Sequence, residues 1–170
     1  KKMVILAPDY PAGKDALNGF KRGYKLAPNQ EVYTKLGQID YAAELAQIRD
    51  AKPDAIYIFL PGGMGINFVK QFVSAGLNKS VKLVGPGFSA DEDVIQAVGE
   101  PLIGMFNTAQ WAHDLDNAQN KKFVEAFRKE YNNRYPAVYA AQAYDTIMAI
   151  DAAVKATGGK VADREAVIAA

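Results

Sequence analysis

The sequence predicts an α/β protein in which a doubly wound, parallel five-stranded sheet forms the middle of three layers, followed by C-terminal helices. Three observations lead to this fold class. Five short β-forming runs alternate with helical patterns, an order that is typical of parallel βαβ units. The run Asp54–Leu60 is apolar almost throughout, as a parallel strand covered on both faces is. The 170 residues, 49% hydrophobic and 23% charged, are enough to bury a core without disulfides.

The first elements of the chain show the alternation directly. A β-forming run at Lys2–Ala7 is stopped by the prolines of Pro8–Pro11. Apolar residues then recur at three- and four-residue spacing, which predicts a helix over Gly13–Ala27. A second strand is predicted at Gln30–Lys35. The helix predicted at Asp40–Ala51 ends before a proline, as helices usually do.

The remaining elements continue this order and then change to helices only. Pro61-Gly62-Gly63 breaks the third strand, and Gly76 closes the helix that follows. Ser89 with Glu92 has the spacing of a capping box at the start of the fourth helix. The predicted elements lie at Asp54–Leu60, Ile66–Val73, Val81–Gly85, Ser89–Val98, Leu102–Thr108, Asn117–Asn132, Val138–Thr157 and Asp163–Ala170.

The change of pattern near residue 108 predicts two parts. Residues 1–108 are expected to form an α/β ligand-binding lobe. Residues 109–170 are expected to contain a crossing segment and helices that belong to another, incomplete lobe. The two long helices carry wide apolar faces, which a five-stranded sheet already flanked by four helices has little room to cover. We therefore expect the chain to be a fragment of a longer protein.

Composition and charge exclude several classes of function. With 20 basic and 19 acidic residues the net charge is +1, so the chain offers no basic surface to a nucleic acid. There is no cysteine and only one histidine, His113, which argues against Cys-ligated metals and a histidine-dependent triad. No apolar run is long enough to span a bilayer. We predict no catalytic residues, no metal and no cofactor. An α/β enzyme stays open as an alternative, which requires a convergent acid, base or nucleophile.

The loops after the predicted strands have a composition suited to binding a small molecule. In open parallel sheets, ligands bind at the carboxyl ends of the strands. Here these loops combine glycines and prolines with aromatic and neutral polar residues, which together build an apolar pocket with a few hydrogen-bonding groups. Gly63-Met64-Gly65 has the start of a dinucleotide fingerprint, but Phe68 replaces the third glycine and no acidic residue ends the next strand. Nucleotide binding is therefore not favoured.

Several motifs, taken in order, resemble the second lobe of type I periplasmic binding proteins. These are substrate-binding components of ABC importers, in the family of the Leu/Ile/Val-binding proteins. The similarity covers nearly the whole chain and depends on the order and spacing of short motifs. They are Pro8-Asp-Tyr-Pro-Ala-Gly-Lys-Asp15, Gly19-Phe-Lys-Arg22, Asp40-Tyr-Ala-Ala-Glu-Leu45, Lys52-Pro-Asp-Ala55, Phe59-Leu-Pro-Gly-Gly63, Ala75-Gly-Leu77, Trp111 with Asp114-Leu-Asp-Asn117 and Phe123, and Tyr139-Ala-Ala-Gln-Ala-Tyr-Asp145.

This resemblance implies a two-lobed protein that closes about a hinge on a ligand held between its lobes. The chain is then the second lobe, followed by a crossing near Asn107–Trp111 and helices of the first lobe, whose opening half is missing. The implied partners are a small-molecule ligand and an ABC permease in the membrane, and the implied location is the periplasm. A ligand-sensing receptor domain of the same fold is the alternative.

The resemblance also implies which residues meet the ligand. For one of them, Trp111, the alternative to contacting the ligand is to pack the hinge. The loop that meets the ligand contains Tyr10, Ala12 and Gly13. The neighbouring wall is formed by Pro61, Gly62, Gly63 and Met64, and the cleft is flanked by Phe88 and Trp111.

Gln38 suggests the class of ligand. Family members that bind α-amino acids use an acidic residue after the second strand of this lobe to hold the ammonium group, and our alignment places Gln38 there. A neutral amide cannot make that charge-assisted contact. Asp40 could replace it but stands where a helix N-cap is expected. We expect an aromatic or other apolar carboxylate, on which nearby aromatic residues would stack, and keep a branched-chain amino acid as the alternative.

Overall fold

A computed structural model describes residues 1–25 and 27–170 of the chain. The backbone divides into two compact units, Lys1–Gln110 and Trp111–Ala170. The strands are β1 (Met3–Pro8), β2 (Gln30–Thr34), β3 (Ala55–Ile58), β4 (Lys82–Pro86) and β5 (Phe106–Thr108). The helices are α1 (Pro11–Tyr24), α2 (Ala42–Ala51), α3 (Gly63–Ser74), α4 (Glu92–Val98), α5 (Ala118–Glu130), α6 (Val138–Ala156) and α7 (Arg164–Ala169). Short 3-10 turns lie at Leu77–Lys79, Gly87–Ser89 and Glu100–Leu102.

The first unit is built on a five-stranded sheet with the strand order β2-β1-β3-β4-β5. All four pairs of neighbouring strands are parallel. Leu6 of β1 lies opposite Val32 of β2 on one side and Ile58 of β3 on the other, which sets the register. The chain runs outward from β1 to β2 and then returns to the other side of β1. The predicted doubly wound parallel sheet is therefore confirmed.

Alternate residues of the strands enter two different cores. On one face, Leu6 and Ile58 belong to a large apolar cluster that includes buried residues of α2, α3 and α4. On the other face, Ile5 and Ala7 pack with Leu17 of α1. This alternation explains why β1 and β3 are apolar along their whole length, since each has helices on both faces. The three-layer arrangement expected from the sequence is confirmed.

Two glycines allow helices to begin directly over the ends of strands. A Cβ atom on Gly13 would lie 2.1 Å from the carbonyl oxygen of Pro8, and one on Gly65 would lie 2.4 Å from that of Leu60. Each glycine is the third residue of its helix, α1 or α3. Only a residue without a side chain permits this close approach, so both helices start within a few residues of the strands they follow.

The capping box predicted at the fourth helix is wrong. Ser89 lies in a 3-10 turn and is fully buried, and its hydroxyl has no hydrogen-bond partner among the described residues. The N-cap of α4 is Asp91. The buried position of Ser89 beneath the carboxyl end of β4 prevents it from reaching the free amides of the helix, although its spacing to Glu92 is correct.

Two predicted boundaries also differ. The fifth strand was expected to begin at Leu102, but this residue belongs to a 3-10 turn and the strand is only Phe106–Thr108. Gly104, with φ of 90°, breaks the run between them. The first helix was expected to extend to Ala27 but ends at Tyr24. Leu26, in that predicted extension, lies outside the described residues.

The second unit is helical and covers little of its apolar surface. Phe123 and Val124 of α5 pack against Ala141 of α6. No residue after Ala141 is buried. The large apolar side chains that α6 leaves exposed are Tyr139, Tyr144, Ile147, Met148 and Ile150. Within the described residues, no helix combines the length and the apolar character needed to cross a bilayer.

Candidate ligand-binding site

Three aromatic side chains follow three neighbouring strands at the carboxyl edge of the sheet. Tyr10 follows β1, Phe59 follows β3 and Phe88 follows β4, and these strands are adjacent in the sheet. The ring centroids of Tyr10 and Phe59 lie 6.5 Å apart, and those of Phe59 and Phe88 lie 5.3 Å apart with the rings nearly perpendicular. All three side chains are half-buried. We call Tyr10, Phe59 and Phe88 the aromatic row.

Short backbone hydrogen bonds position the row. The amide of Phe59 donates to the carbonyl of Leu6 at 2.9 Å, one residue past the end of β3. The amide of Tyr10 donates to the carbonyl of Pro8 at 2.9 Å, and Tyr10 is the N-cap residue of α1. The row is therefore attached to the rigid end of the sheet rather than to long loops.

The amino ends of α1 and α3 lie at the same edge of the sheet. Neither helix has an acidic residue in its first turn, and neither N-cap residue, Tyr10 or Gly62, accepts a hydrogen bond through its side chain. Helix N-termini carry a partial positive charge and free amide groups, which favour an anion. Gly62 has a φ of 59°, a conformation that glycine adopts without strain. Ala12 and Gly63 are exposed beside these ends.

Gln38 holds its own loop together. Its Oε1 accepts a hydrogen bond from the amide of Lys35 at 3.0 Å. Its Nε2 donates to the carbonyl of Asp40 at 2.7 Å and to the Glu44 carboxylate at 2.9 Å. The amide group is thus occupied within the loop after β2. Met64 fastens the same loop to α3, because its sulfur accepts a hydrogen bond from the amide of Gly37 at 3.2 Å.

Tyr41 is the buried support of this loop. Its hydroxyl donates to the carbonyl of Gln38 at 3.0 Å, and its amide donates to Oε1 of Gln71 at 2.8 Å. Burial, with a smaller effect of the Glu44 charge, raises the pKa of Tyr41 to about 12, so the phenol is a neutral donor. The Asp40 carboxylate accepts from the amide of Ala42 at 2.9 Å. Asp40 is therefore engaged by the backbone as expected, although the N-cap residue of α2 is Tyr41.

A polar groove lies beside the row at the end of β2. Both of its carboxylates have partners: Asp9 pairs with Lys14 at 2.8 Å, and Glu44 accepts a hydrogen bond from Gln38. The hydrogen bond and charge of Asp9 raise the pKa of Lys14. Within residues 1–25 and 27–170, no three His, Asp or Glu side chains cluster as metal ligands. The groove is lined by Asp9, Tyr33, Thr34, Lys35, Leu36, Gln38 and Glu44.

Trp111 is placed in the second unit by a buried asparagine. Its indole Nε1 donates to Oδ1 of Asn120 at 2.7 Å, and its ring meets that of Phe123 edge to face at 6.0 Å. The Asn120 side chain also donates to three carbonyl groups, those of Ala112, His113 and Leu115. Trp111 therefore packs within the helical unit, at the edge of a cavity of about 350 Å³ between α5 and α6.

The structure brings together most of the residues singled out in the first unit and adds others. Tyr10, Phe88 and the exposed Ala12, Gly62 and Gly63 lie at one edge of the sheet, and Pro61 is half-buried there. Gly13 is buried beneath Tyr10 and Gln38 is turned into its own loop, so both shape the edge. Sequence reasoning missed Phe59 and Asn120. The alternation of Tyr57 and Phe59 with buried isoleucines in the third strand was the signal for Phe59.

The fold is an open parallel α/β sheet, a class in which ligands bind at the carboxyl ends of the strands. The chain belongs to the periplasmic binding protein family, whose profile matches residues 1–170. A curated relative, Leu/Ile/Val-binding protein homolog 6 of Brucella melitensis, is 33% identical over 169 residues. The match covers 94% of this chain and 43% of that protein.

Two solved structures extend the comparison. A solute-binding protein of an ABC transporter from R. palustris, in complex with benzoate, has a TM-score of 0.94 and 35% identity over 100% of this chain and 47% of its own. One from Rhodopseudomonas palustris BisB5, in complex with 3,4-dihydroxy benzoic acid, has a TM-score of 0.89 and 37% identity, with coverage of 98% and 47%. The chain thus spans less than half the length of these relatives.

Proposed function

We propose that the full-length protein is the solute-binding component of an ABC importer and that its ligand is an aromatic carboxylate. The observation that carries this proposal is the aromatic row beside the free amino ends of α1 and α3. The row suits a planar apolar ring, and the helix ends suit a carboxylate. One edge of the sheet therefore offers complementary groups to both parts of such a ligand.

The relatives support this ligand class. The two solute-binding proteins with benzoate and 3,4-dihydroxy benzoic acid are 35% and 37% identical to this chain. Both ligands combine an aromatic ring with a carboxylate. Gln38 has a neutral amide and no carboxylate to offer an ammonium group, and the Asp40 carboxylate already accepts a hydrogen bond from the amide of Ala42.

Within this site we assign contact and support to different residues. The ligand ring contacts Tyr10 and Phe88, and its carboxylate faces Ala12, Gly62 and Gly63. Pro61 and Met64 form the adjoining wall. Gly13 and Gln38 act through the backbone that they shape, and Trp111 acts by packing its own unit.

Binding proceeds by hinge closure of a two-lobed protein, without a chemical step. Residues 1–108 form most of one lobe, and residues 109–170 contain a crossing segment and helices of the other. The open apolar face of α6 then packs on the missing part of that lobe, for which relatives more than twice as long leave ample chain. The ligand favours the closed state, which docks on a membrane permease outside the cytoplasm.

A branched-chain amino acid is the second candidate ligand. It is favoured by the name of the Brucella melitensis relative, a Leu/Ile/Val-binding protein homolog at 33% identity. It requires an acidic partner for the ammonium group. The Glu44 carboxylate lies 2.9 Å from the Gln38 amide nitrogen and already accepts a hydrogen bond from it.

The test is a thermal-shift panel on the full-length protein with benzoate, 4-hydroxybenzoate, leucine and glucose. A ligand at one hundred times its Kd adds about 2.7 kcal/mol to the free energy of unfolding, which raises Tm by a few degrees. We expect a shift with the aromatic acids only, and recovery of the ligand unchanged. A shift with leucine alone would show that the ligand is an amino acid and not an aromatic carboxylate. No shift with any compound would contradict the binding role.

Tyr10→Ala tests the contact directly. We expect Kd for benzoate to rise about tenfold, since one aromatic contact is worth about 0.5–1.5 kcal/mol beyond its buried area. Tyr24→Ala, at the other end of α1, is the matched control and should leave Kd unchanged. A change of less than twofold for Tyr10→Ala would show that its ring only packs against Phe59.

A further inference from the structure

Phe59 occupies the middle of the aromatic row. Its ring lies 6.5 Å from that of Tyr10 and 5.3 Å from that of Phe88, measured between centroids. We infer that Phe59 sets the preference of the site for planar aromatic ligands over aliphatic ones. It does so by holding the rings of Tyr10 and Phe88, before the ligand binds, in the orientation in which they contact an aromatic ring. This inference rests on the proposed function and adds a specificity-determining residue to it.

The geometry of the row supports a positioning role. The planes of Phe59 and Phe88 cross at 88°, so the edge of one ring meets the face of the other. This is a favoured arrangement because the positive edge of an aromatic ring attracts the negative face of its neighbour. An aliphatic side chain in place of Phe59 would fill similar space without fixing either neighbouring ring. The orientation of Phe88 therefore depends on an aromatic ring at position 59, and the ring of Tyr10 lies 6.5 Å from the same ring at a tilt of 41°.

The backbone makes Phe59 a firm anchor for this purpose. Its amide donates to the carbonyl of Leu6 at 2.9 Å, which ties it to the central strand β1. Phe88 lies in the 3-10 turn Gly87–Ser89, and a Cβ on Gly87 would lie 2.5 Å from that of Ala109. Such close packing leaves the turn little freedom, so the distance between Phe59 and Phe88 is set by the sheet.

Phe20 provides a matched control within the same apolar cluster. Phe20 and Phe59 are both half-buried residues of the cluster around Ile5, Ala7 and Leu17. The Phe20 ring also has two aromatic neighbours, Tyr57 at 4.4 Å and Tyr24 at 5.3 Å. Phe20 lies in α1, away from the carboxyl edge of the sheet. The same substitution at the two positions therefore separates loss of core packing from loss of ring positioning.

The experiment compares Phe59→Leu, Phe59→Tyr and Phe20→Leu in the full-length protein. Calorimetry measures Kd for benzoate and for cyclohexanecarboxylate, which has the same carboxylate on a non-aromatic ring. We expect Phe59→Leu to reduce the ratio of the two affinities at least tenfold, mainly by weakening benzoate binding. Phe59→Tyr, which keeps the ring, and Phe20→Leu should both keep the ratio within threefold of the unsubstituted protein.

The outcomes distinguish the inference from the proposed function. An unchanged ratio in Phe59→Leu, with aromatic binding intact in the unsubstituted protein, would overturn the inference alone. An equal reduction of the ratio of the two affinities in Phe20→Leu would also overturn the inference, since loss of core packing would then explain the effect. If the unsubstituted protein binds no aromatic acid, the proposed function fails and the preference assigned to Phe59 fails with it. Without ligand, Phe59→Leu should change the side-chain torsion angles of Tyr10 and Phe88, as measured by NMR scalar couplings, whereas Phe20→Leu should not, and unchanged angles in Phe59→Leu would contradict the positioning role.

Discussion

The two units of the chain contain similar kinds of apolar residue but cover them differently. In residues 1–110, strands β1 and β3 have helices on both faces, and apolar residues such as Ile5, Leu6 and Ile58 are fully buried. In residues 111–170 the buried hydrophobic residues are Phe123, Val124, Val138 and Ala141. Ile147 of α6 is 64% exposed. A sheet with helices on both faces closes its own core, whereas α5 packs on only part of α6 and leaves the rest of its apolar face exposed.

This difference predicts that the units have very different stabilities when separated. Residues 1–110 expressed alone should unfold cooperatively in urea. Residues 111–170 alone should show helical circular dichroism without a cooperative transition and should bind a hydrophobic dye, because isolated helices gain little stability without tertiary packing. A sharp two-state transition of the second fragment would contradict the comparison.

The close packing of the first unit predicts a large effect at Gly13. Gly13→Ala should lower the free energy of unfolding by about 3 kcal/mol, because the new Cβ would lie 2.1 Å from the carbonyl oxygen of Pro8. Gly19→Ala is the control in the same helix, where the nearest atom to a new Cβ, on Arg22, is 3.8 Å away. It should raise stability by about 0.5 kcal/mol. Urea titration measures both, and equal effects would contradict the assigned role of Gly13.

The second unit contains a buried polar residue, Asn120, whose side chain connects Trp111 to the segment before α5. Asn120→Ala should cost about 2 kcal/mol, because the indole of Trp111 and three carbonyl groups lose their partner. Gln119→Ala, at the exposed neighbouring position, should change stability by less than about 0.5 kcal/mol. Thermal unfolding of the full-length protein, with tryptophan fluorescence, is the measurement. Equal effects of the two substitutions would show that the Asn120 network is dispensable.

Substitution of Tyr41 should have the smallest effect on the free energy of unfolding, and that effect should depend on pH. Tyr41→Phe removes the hydrogen bond to the carbonyl of Gln38 and should cost about 1 kcal/mol. The pKa of Tyr41 is raised from 10.0 to about 12, so the unfolded chain ionises first as the pH rises. The stability that Tyr41 contributes is therefore present below pH 10 and is lost between pH 10 and about 12.

Stability measured from pH 8 to 12 should fall less steeply for Tyr41→Phe than for the unsubstituted protein. Tyr24→Phe, which removes a hydroxyl that donates to the carbonyl of Lys1 at the other end of the sheet, is the control for loss of a tyrosine hydrogen bond near neutral pH. Parallel curves for Tyr41→Phe and the unsubstituted protein would show that Tyr41 is not held neutral by its surroundings.

The elements that sequence reasoning placed well are those whose pattern is local. β1, β3 and α6 follow from apolar runs and helical spacing, and the structure differs from these predictions by only one or two residues at their ends. The loop residues Tyr10 and Phe88 could be found because they follow strands. The capping box at Ser89 failed because burial of that residue depends on β4 and on the turn after it, which spacing to Glu92 does not encode.

The sequence by itself determined the α/β class, the five parallel strands and the helices. Its balanced charge and its lack of cysteine also argued against nucleic-acid binding and Cys-ligated metals. These properties depend on periodicity and composition, which act between residues close in the chain. Only the tertiary structure decided that Phe59 joins Tyr10 and Phe88, that Gln38 is occupied by its own loop, and that Asn120 holds Trp111. The three rings follow different strands, so the strand order sets the distances between them. The contacts of Gln38 and Asn120 are local in the chain, but they depend on loop conformations that spacing along the sequence does not encode.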